Sequence, residues 1–194
     1  MLDLLASAKN GDTLLISGEI DAEGMEPLTT SAAVHIEAGD ANASIRGLRL
    51  CDADVTFSSV NLSGSLYIEG NSSVLLGRNV SVSADSGKTA LSFEGSGALI
   101  IERGCTIKGG RGADGVYISH TSGDFYGSIE GQVFGGSGHK GGAGLVISPL
   151  GDAGALMISG QITGGDGESL GGHAANLYGL SGNAYITVDG KETT

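Results

Sequence analysis

Histidine, carboxylate and cationic side chains are the groups in this chain that could hold a ligand or move a proton, and their spacing limits what they can do. Four histidines are present: His35, His120, His139 and His173. His139 and His173 sit in corresponding Gly-rich segments, Gly138-His139-Lys140 and Gly172-His173-Ala174. Two imidazoles do not make a metal site, which wants a third ligand and supporting hydrogen bonds. No metal and no cofactor is therefore expected. Asp166 and Glu168 lie two residues apart in the same Gly-rich region and join His139 and His173 as one candidate binding group. No Gly-x-Ser-x-Gly elbow sits between a strand and a helix, and the Gly-rich turns lack the Lys-Ser/Thr and following helix of a phosphate-binding loop. No catalytic residue is named.

Acidic residues form the second candidate group. The 194 residues carry 10 Lys+Arg against 22 Asp+Glu, a formal net charge of −12. Residues 1–45 contain Asp3, Asp12, Glu19, Asp21, Glu23, Glu26, Glu37 and Asp40 against Lys9 alone, which is −7, and the remainder carries −5. Asp21, Glu23, Glu26, Glu37 and Asp40 are the candidates for an acidic face that meets a basic partner; solubility is the plainer use of the same charge. Direct binding to nucleic acid is not expected, because phosphate contacts need a Lys/Arg stripe. An anionic membrane surface is an equally poor partner.

The elements that must position these groups are short strands joined by tight turns. Gly contributes 36 residues, Pro two and Trp none, while 40% of the chain is hydrophobic. Such a chain has the apolar surface to fold, yet turns often. The second half repeats. The Gly-Gly-x-Gly turns that recur with the apolar runs start at 109, 135 and 164, with spacings of 26 and 29, and each repeat holds two or three apolar runs of three to five residues. Candidate strands in the first half are 13–18, 32–37, 43–50, 54–60, 65–69, 73–76, 79–83 and 89–93. No run carries a useful helical stripe beyond the N-terminus. A repeat of this size cannot bury its own apolar face, so successive repeats must stack. The expected fold is all-β: a right-handed parallel β-helix of roughly six coils over residues 12–194, with a helical cap over 1–11, in one domain spanning 1–194. At roughly 4.8 Å per strand the stack is ~30 Å long.

The cap is read from Leu2 to Lys9, with Leu2, Leu5 and Ala6 on one face, Asn10-Gly11 as its C-cap, and Asp12-Thr13-Leu14-Leu15-Ile16 entering the first strand. In this opening and in its coils the chain resembles the pectate-lyase-like β-helix superfamily. The Gly-Gly-x-Gly coils also look like those of bacterial and phage surface β-helices. The resemblance implies a fold and no particular chemistry. Enzymes of that superfamily set acidic residues for Ca²⁺ and an Arg or Lys base on one face. The residues here that such chemistry would use are Asp114, Glu130, Asp166 and Glu168 with Arg103, Lys108 and Arg111. The Asp pairs and Gly-His-Gly of polygalacturonase-like relatives are not matched.

Three further expectations concern single residues. Cys51 and Cys105 are read as buried free thiols about two coils apart. Tyr67, Phe93 and Tyr117, spaced by 26 and 24, are read as an aromatic stack. The glycines of the three Gly-rich turns are expected to include several at positive φ. At the C-terminal coil, an open edge around Ile186 suggests a homodimer. No signal peptide or apolar span of ~18 residues is seen, so a cytoplasmic location is expected. The functional expectation is a non-catalytic interaction protein presenting an acidic face and Gly-rich loops to a protein partner, in its sharpest form an anionic decoy or phage-type inhibitor of host nucleic-acid machinery. The alternatives are a carbohydrate-binding or polysaccharide lyase/hydrolase-like β-helix, and a segment of a surface adhesin or tail fibre.

Overall fold

The computed structural model describes residues 8–30, 32–120, 123–151, 153–180 and 184–188. Among them there are strands, turns and no helix, and every strand pairing is parallel. The expected helical cap falls largely on residues 1–7, outside the described residues. Its described remainder, Ala8 and Lys9, is not helical, and Asn10-Gly11 forms a turn with Gly11 at φ 85°. No helix among the described residues is long and apolar enough to cross a membrane.

Alternation writes the strands. In Asp54–Ser58, Val55 and Phe57 are buried while Asp54, Thr56 and Ser58 face outward. Side chains of a strand alternate between faces, so an apolar–polar–apolar run buries one face only. Parallel pairing then stacks like positions into columns. Val34, Val55, Val74 and Leu99 form one inward column, and Ile36, Phe57, Leu76, Ile101, Ile129 and Ile158 form the next. Burying each such side chain contributes about 1.5–3 kcal/mol.

Three ladders enclose this core. The first runs through Thr13–Ile16, Val34–Ala38, Asp54–Ser58, the end of Leu66–Leu76, the end of Leu91–Ile101, Phe125–Ile129, Gly154–Ile158 and Tyr185–Val188. The second runs through Glu19–Asp21, Ser44–Arg46, Asn61–Gly64, Ser81–Ala84, Thr106–Lys108, Gln132–Phe134 and Gln161–Thr163. The third begins at the Leu28–Leu50 bridge and continues through the first halves of the two 11-residue strands, then Val116–His120, Leu145–Leu150 and Ala175–Leu177. The chain visits the ladders in this order seven times and then returns to the first.

The repeat is not constant. Along the first ladder the partners Asp54↔Ser73 are 19 apart, Ser73↔Ala98 25, Phe125↔Gly154 29 and Ala155↔Tyr185 30. The added length lies mainly between the second and third ladders. There the segments 135–144 and 164–174 project as two fingers, joined to each other by Gly138–Lys140 and Gly167–Leu170.

The Gly-Gly pairs make the fingers, but not through positive φ. Of the glycines at 109–112, 135–138 and 164–167, only Gly112 has positive φ, 72°. The others answer to close approach. A Cβ on Gly110 would fall on the carbonyl of Asp85, one on Gly136 on that of Gly110, and one on Gly165 on that of Gly136. The first glycine of each pair does a different job: a Cβ on Gly135 would strike Gly142, and one on Gly164 would strike Gly172. Each finger is thus pinched at its base and laid directly on the turn below.

Two other expectations change. Register sets Tyr67 opposite Ser92, and Ser92 opposite Tyr117, so the outward column is Tyr–Ser–Tyr. Phe93 is one residue out of phase and points inward, 5.1 Å from Phe125 between ring centroids. Period 2 allows no other outcome, since a shift of one residue changes face. Cys51 and Cys105 are both free, but they stand at different ladders, and only Cys105 is fully buried.

Candidate functional site

The fingers turn one outer face into a groove. On the second ladder the outward residues of the upper rungs form two columns. One is Ser81, Thr106, Gln132 and Gln161; the other is Ser83, Lys108, Phe134 and Thr163. Gln132 Nε2 donates to Gln161 Oε1 at 3.3 Å, which holds adjacent amides in line. Beside Phe134 the chain leaves the ladder into the first finger. The result is a hollow of about 370 Å³ floored by Thr106, Lys108, Phe134 and Thr163 and walled by Gly135, Ser137 and 164–166. A second hollow of about 440 Å³ adjoins it through Ser137 and Asp166, lined also by Arg111, Gly138, Gly167 and Glu168.

The groove is chemically mixed. Phe134, partly exposed, offers an apolar ring face. Thr106, Thr163 and Ser137 offer hydroxyls, and the Ser137 hydroxyl also accepts from the backbone N–H of Asp166 at 3.1 Å. Lys108 and Arg111 stand against Asp166 and Glu168, so the site is locally balanced in a chain of net charge −12. Among the described residues no group of three or more His, Cys, Asp or Glu is placed to hold a metal ion. No protein-family model matches the chain, and no curated protein or solved structure is significantly similar to it.

Of the first candidate group, Asp166 and Glu168 line the groove. His139 lies on the finger with its Nδ1 3.5 Å from Glu168 Oε2, both side chains well exposed. His173 is on the return of the second finger, where its carbonyl accepts from Gly144. The two histidines therefore occupy different columns, and no hydrogen bond joins them. Of the seven charged residues that polysaccharide cleavage would use, four converge: Lys108, Arg111, Asp166 and Glu168. Asp114 is spent on the backbone, its carboxylate accepting from Ala143 at 2.8 Å. Arg103 and Glu130 stand before the second ladder, away from the groove. The segment Gly167-Glu168-Ser169-Leu170-Gly171 has a nucleophile-elbow spacing, but Ser169 donates to the backbone carbonyl of His139 at 2.8 Å, in an exposed strand with no helix after it.

The acidic group is largely engaged within the fold. Asp21 accepts from Glu23 N–H, and Asp40 from both Gly18 and Asn42. Glu23 bridges Arg46 at 3.1 Å and Lys88 at 2.8 Å, while Arg46 also meets Asp85 at 2.9 Å. The Lys88 ammonium and the Arg46 guanidinium hold the Glu23 carboxyl below its ordinary value. Glu26 is exposed on the turn and Glu37 half-exposed on the first ladder. A neighbouring hollow of about 320 Å³ is lined by Glu23, Lys88, Arg49 and Tyr67. Burial, then a hydrogen bond to Glu94, pushes the Tyr67 phenol up to about 12.

Phe134 was not singled out from the sequence, although a signal was there. Lys108, Phe134 and Thr163 are spaced by 26 and 29, the same intervals as the Gly-Gly-x-Gly turns.

Proposed function

We propose that the chain is a right-handed parallel β-helix of seven turns and that it acts as a non-catalytic binding scaffold whose groove takes a saccharide chain. Three ladders visited in fixed order support the helix, and the strong right-handed preference of parallel crossovers supports its hand. The observation that carries the ligand class is the groove itself: one apolar ring flanked on the floor by hydroxyl and ammonium groups of adjacent rungs, with the Asp166 carboxylate in the wall and the Gln132 and Gln161 amides in the neighbouring column. Pyranose rings present apolar C–H faces to an aromatic ring and hydroxyls to polar side chains, so this combination suits them. The ligand would lie along the stack, where rungs spaced by roughly 4.8 Å present a different hydroxyl, amide or ammonium group beneath each successive sugar.

A glycan array followed by calorimetry on the intact chain tests this. Binding should weaken at least tenfold in Phe134→Ala, and remain in His173→Ala, which lies outside the groove. An array without hits would refute the saccharide reading. A second reading, a protein partner held at the fingers, is supported by Leu170, which is 62% exposed on the finger sheet. Extended segments can add to such a sheet through backbone pairing. Binding lost in Leu170→Asp but kept in Phe134→Ala would favour it. For the acidic-face version, Glu26 and Glu37 are the members of the candidate group that have no side-chain partner among the described residues.

A further inference from the structure

The stack finishes differently at its two ends. At the first turn the inward residues Ile16 and Leu28 are each only 4% exposed, and Leu14 and Ile20 are half-buried. At the last described turn the inward columns come into the open. Ile118 and Ile147 are fully buried, but Leu177 above them is 47% exposed. Leu150 is fully buried, but Leu180 above it is 48% exposed. The column of Ile129 and Ile158 ends in Val188, 69% exposed. The backbone is open there too. Among the described residues, Gln161–Thr163, Ala175–Leu177 and Tyr185–Val188 each pair with a strand on one side only. Those three strands contain no Asp, Glu, Lys or Arg. The charged residues of this turn, Asp166 and Glu168, are carried to the side on the second finger, and Asp189, Lys191 and Glu192 follow outside the described residues.

From this we infer that the last turn is an end-to-end interface between two copies of this chain, independently of what the groove on the second ladder binds. Shape selects the occupant. The end presents three strand edges around one apolar opening. An extended peptide covers one such edge, whereas the same end of a second copy covers all three and brings its own apolar residues to the opening. Charge decides which ends meet. Each copy carries −12, so association is opposed wherever acidic groups come together. The first turn has Glu19 and Asp21 within an edge strand, and the last turn has no such residue in its three. A two-fold axis through the middle of the first ladder sets Tyr185–Val188 antiparallel to its own counterpart, swaps the other two ladders and closes at two. Area sets the strength. Ten edge residues at about 3.3 Å, in sheets about 10 Å thick, give a footprint of about 330 Å² per copy. Counted on both copies this stays below the ~1,200 Å² of stable complexes, so the dimer is weak and reversible.

Sedimentation equilibrium of the full chain from about 10 to about 300 µM tests the interface, a range in which a weak dimer is partly populated. The expected result is a monomer–dimer equilibrium with no larger species. Val188→Glu and Leu177→Glu should each weaken association at least tenfold. Leu15→Glu, which adds the same charge at an exposed position of the first turn, should change it less than threefold. Val188 is already largely exposed, so its replacement leaves the core intact, and unchanged circular dichroism and urea midpoint establish this for each variant. A strict monomer across the range overturns the inference. So does a rising series of larger species, which is head-to-tail stacking, or a dimer that Val188→Glu leaves unchanged.

Discussion

If the Gly-rich turns depend on close approach rather than on backbone hand, three Gly→Ala substitutions must separate cleanly. At Gly136 the backbone is ordinary, but the added Cβ would meet the Gly110 carbonyl and would lie 2.8 Å from that of Gly109. Backbone cannot rotate away as a side chain can, so the finger must lift from the turn below. Overpacking of this kind costs about 1–3 kcal/mol. Lifting also strains the Gly136→Ala113 and Gly142→Gly136 hydrogen bonds, at about 1 kcal/mol each. The sum is about 3–5 kcal/mol. Gly87 is the reverse case, with φ 77° and nothing within 4 Å of the added Cβ. Alanine there meets only the left-handed penalty, about 1–2 kcal/mol. Gly171 has neither positive φ nor a neighbour closer than 4.0 Å. Alanine there should be neutral or stabilise by up to about 0.5 kcal/mol, since it restricts the unfolded chain. Urea unfolding with a common m-value reads all three. A cost at Gly136 no greater than that at Gly87 would refute the stacking explanation.

Phe93→Ala should destabilise by about 3–5 kcal/mol, because its ring is fully buried against Phe125. Tyr67→Ala, one column outward, should cost well under half of that by the same unfolding assay. Burial pushes the Cys105 thiol from its ordinary 9.0 up to about 12, so the folded state holds the proton that the unfolded state gives up. Stability should therefore fall as pH rises from 9 towards 12, by about 2 kcal/mol at pH 10.5, and Cys105→Ala should flatten that slope. Glu23 has the opposite sign: its carboxyl is held low by Lys88 and Arg46, so its contribution is present above pH 4.5 and lost as pH falls below it. Glu23→Gln should make acid unfolding less steep, and wild type should lose the same increment in concentrated salt.

The sequence by itself determined the strands and the need to stack them. Residues such as Val55, Phe57 and Ile107 sit at alternate positions between polar neighbours, and period 2 leaves one choice of face. The first-half strands expected at 54–60 and 79–83 appear as Asp54–Ser58 and Ser81–Ala84 for that reason. The Gly-Gly-x-Gly spacing likewise showed where the long excursions lie. Register was decided only in three dimensions. A repeat that runs from 19 to 30 residues cannot be aligned by counting, so Phe93 was set in line with Tyr67 and Tyr117 when it belongs one column inward. The use of charge was equally hidden. Glu23 and Lys88 are 65 residues apart, and their contact exists only because intervening turns bring the two segments onto one side. Composition counts Asp21, Asp40 and Asp114 as free negative charge, whereas the folded backbone turns its N–H groups towards them. The groove follows the same rule. Its residues are ordinary one by one, and they become a site only where parallel pairing stacks Lys108, Phe134 and Thr163 and the pinched fingers raise a wall beside them.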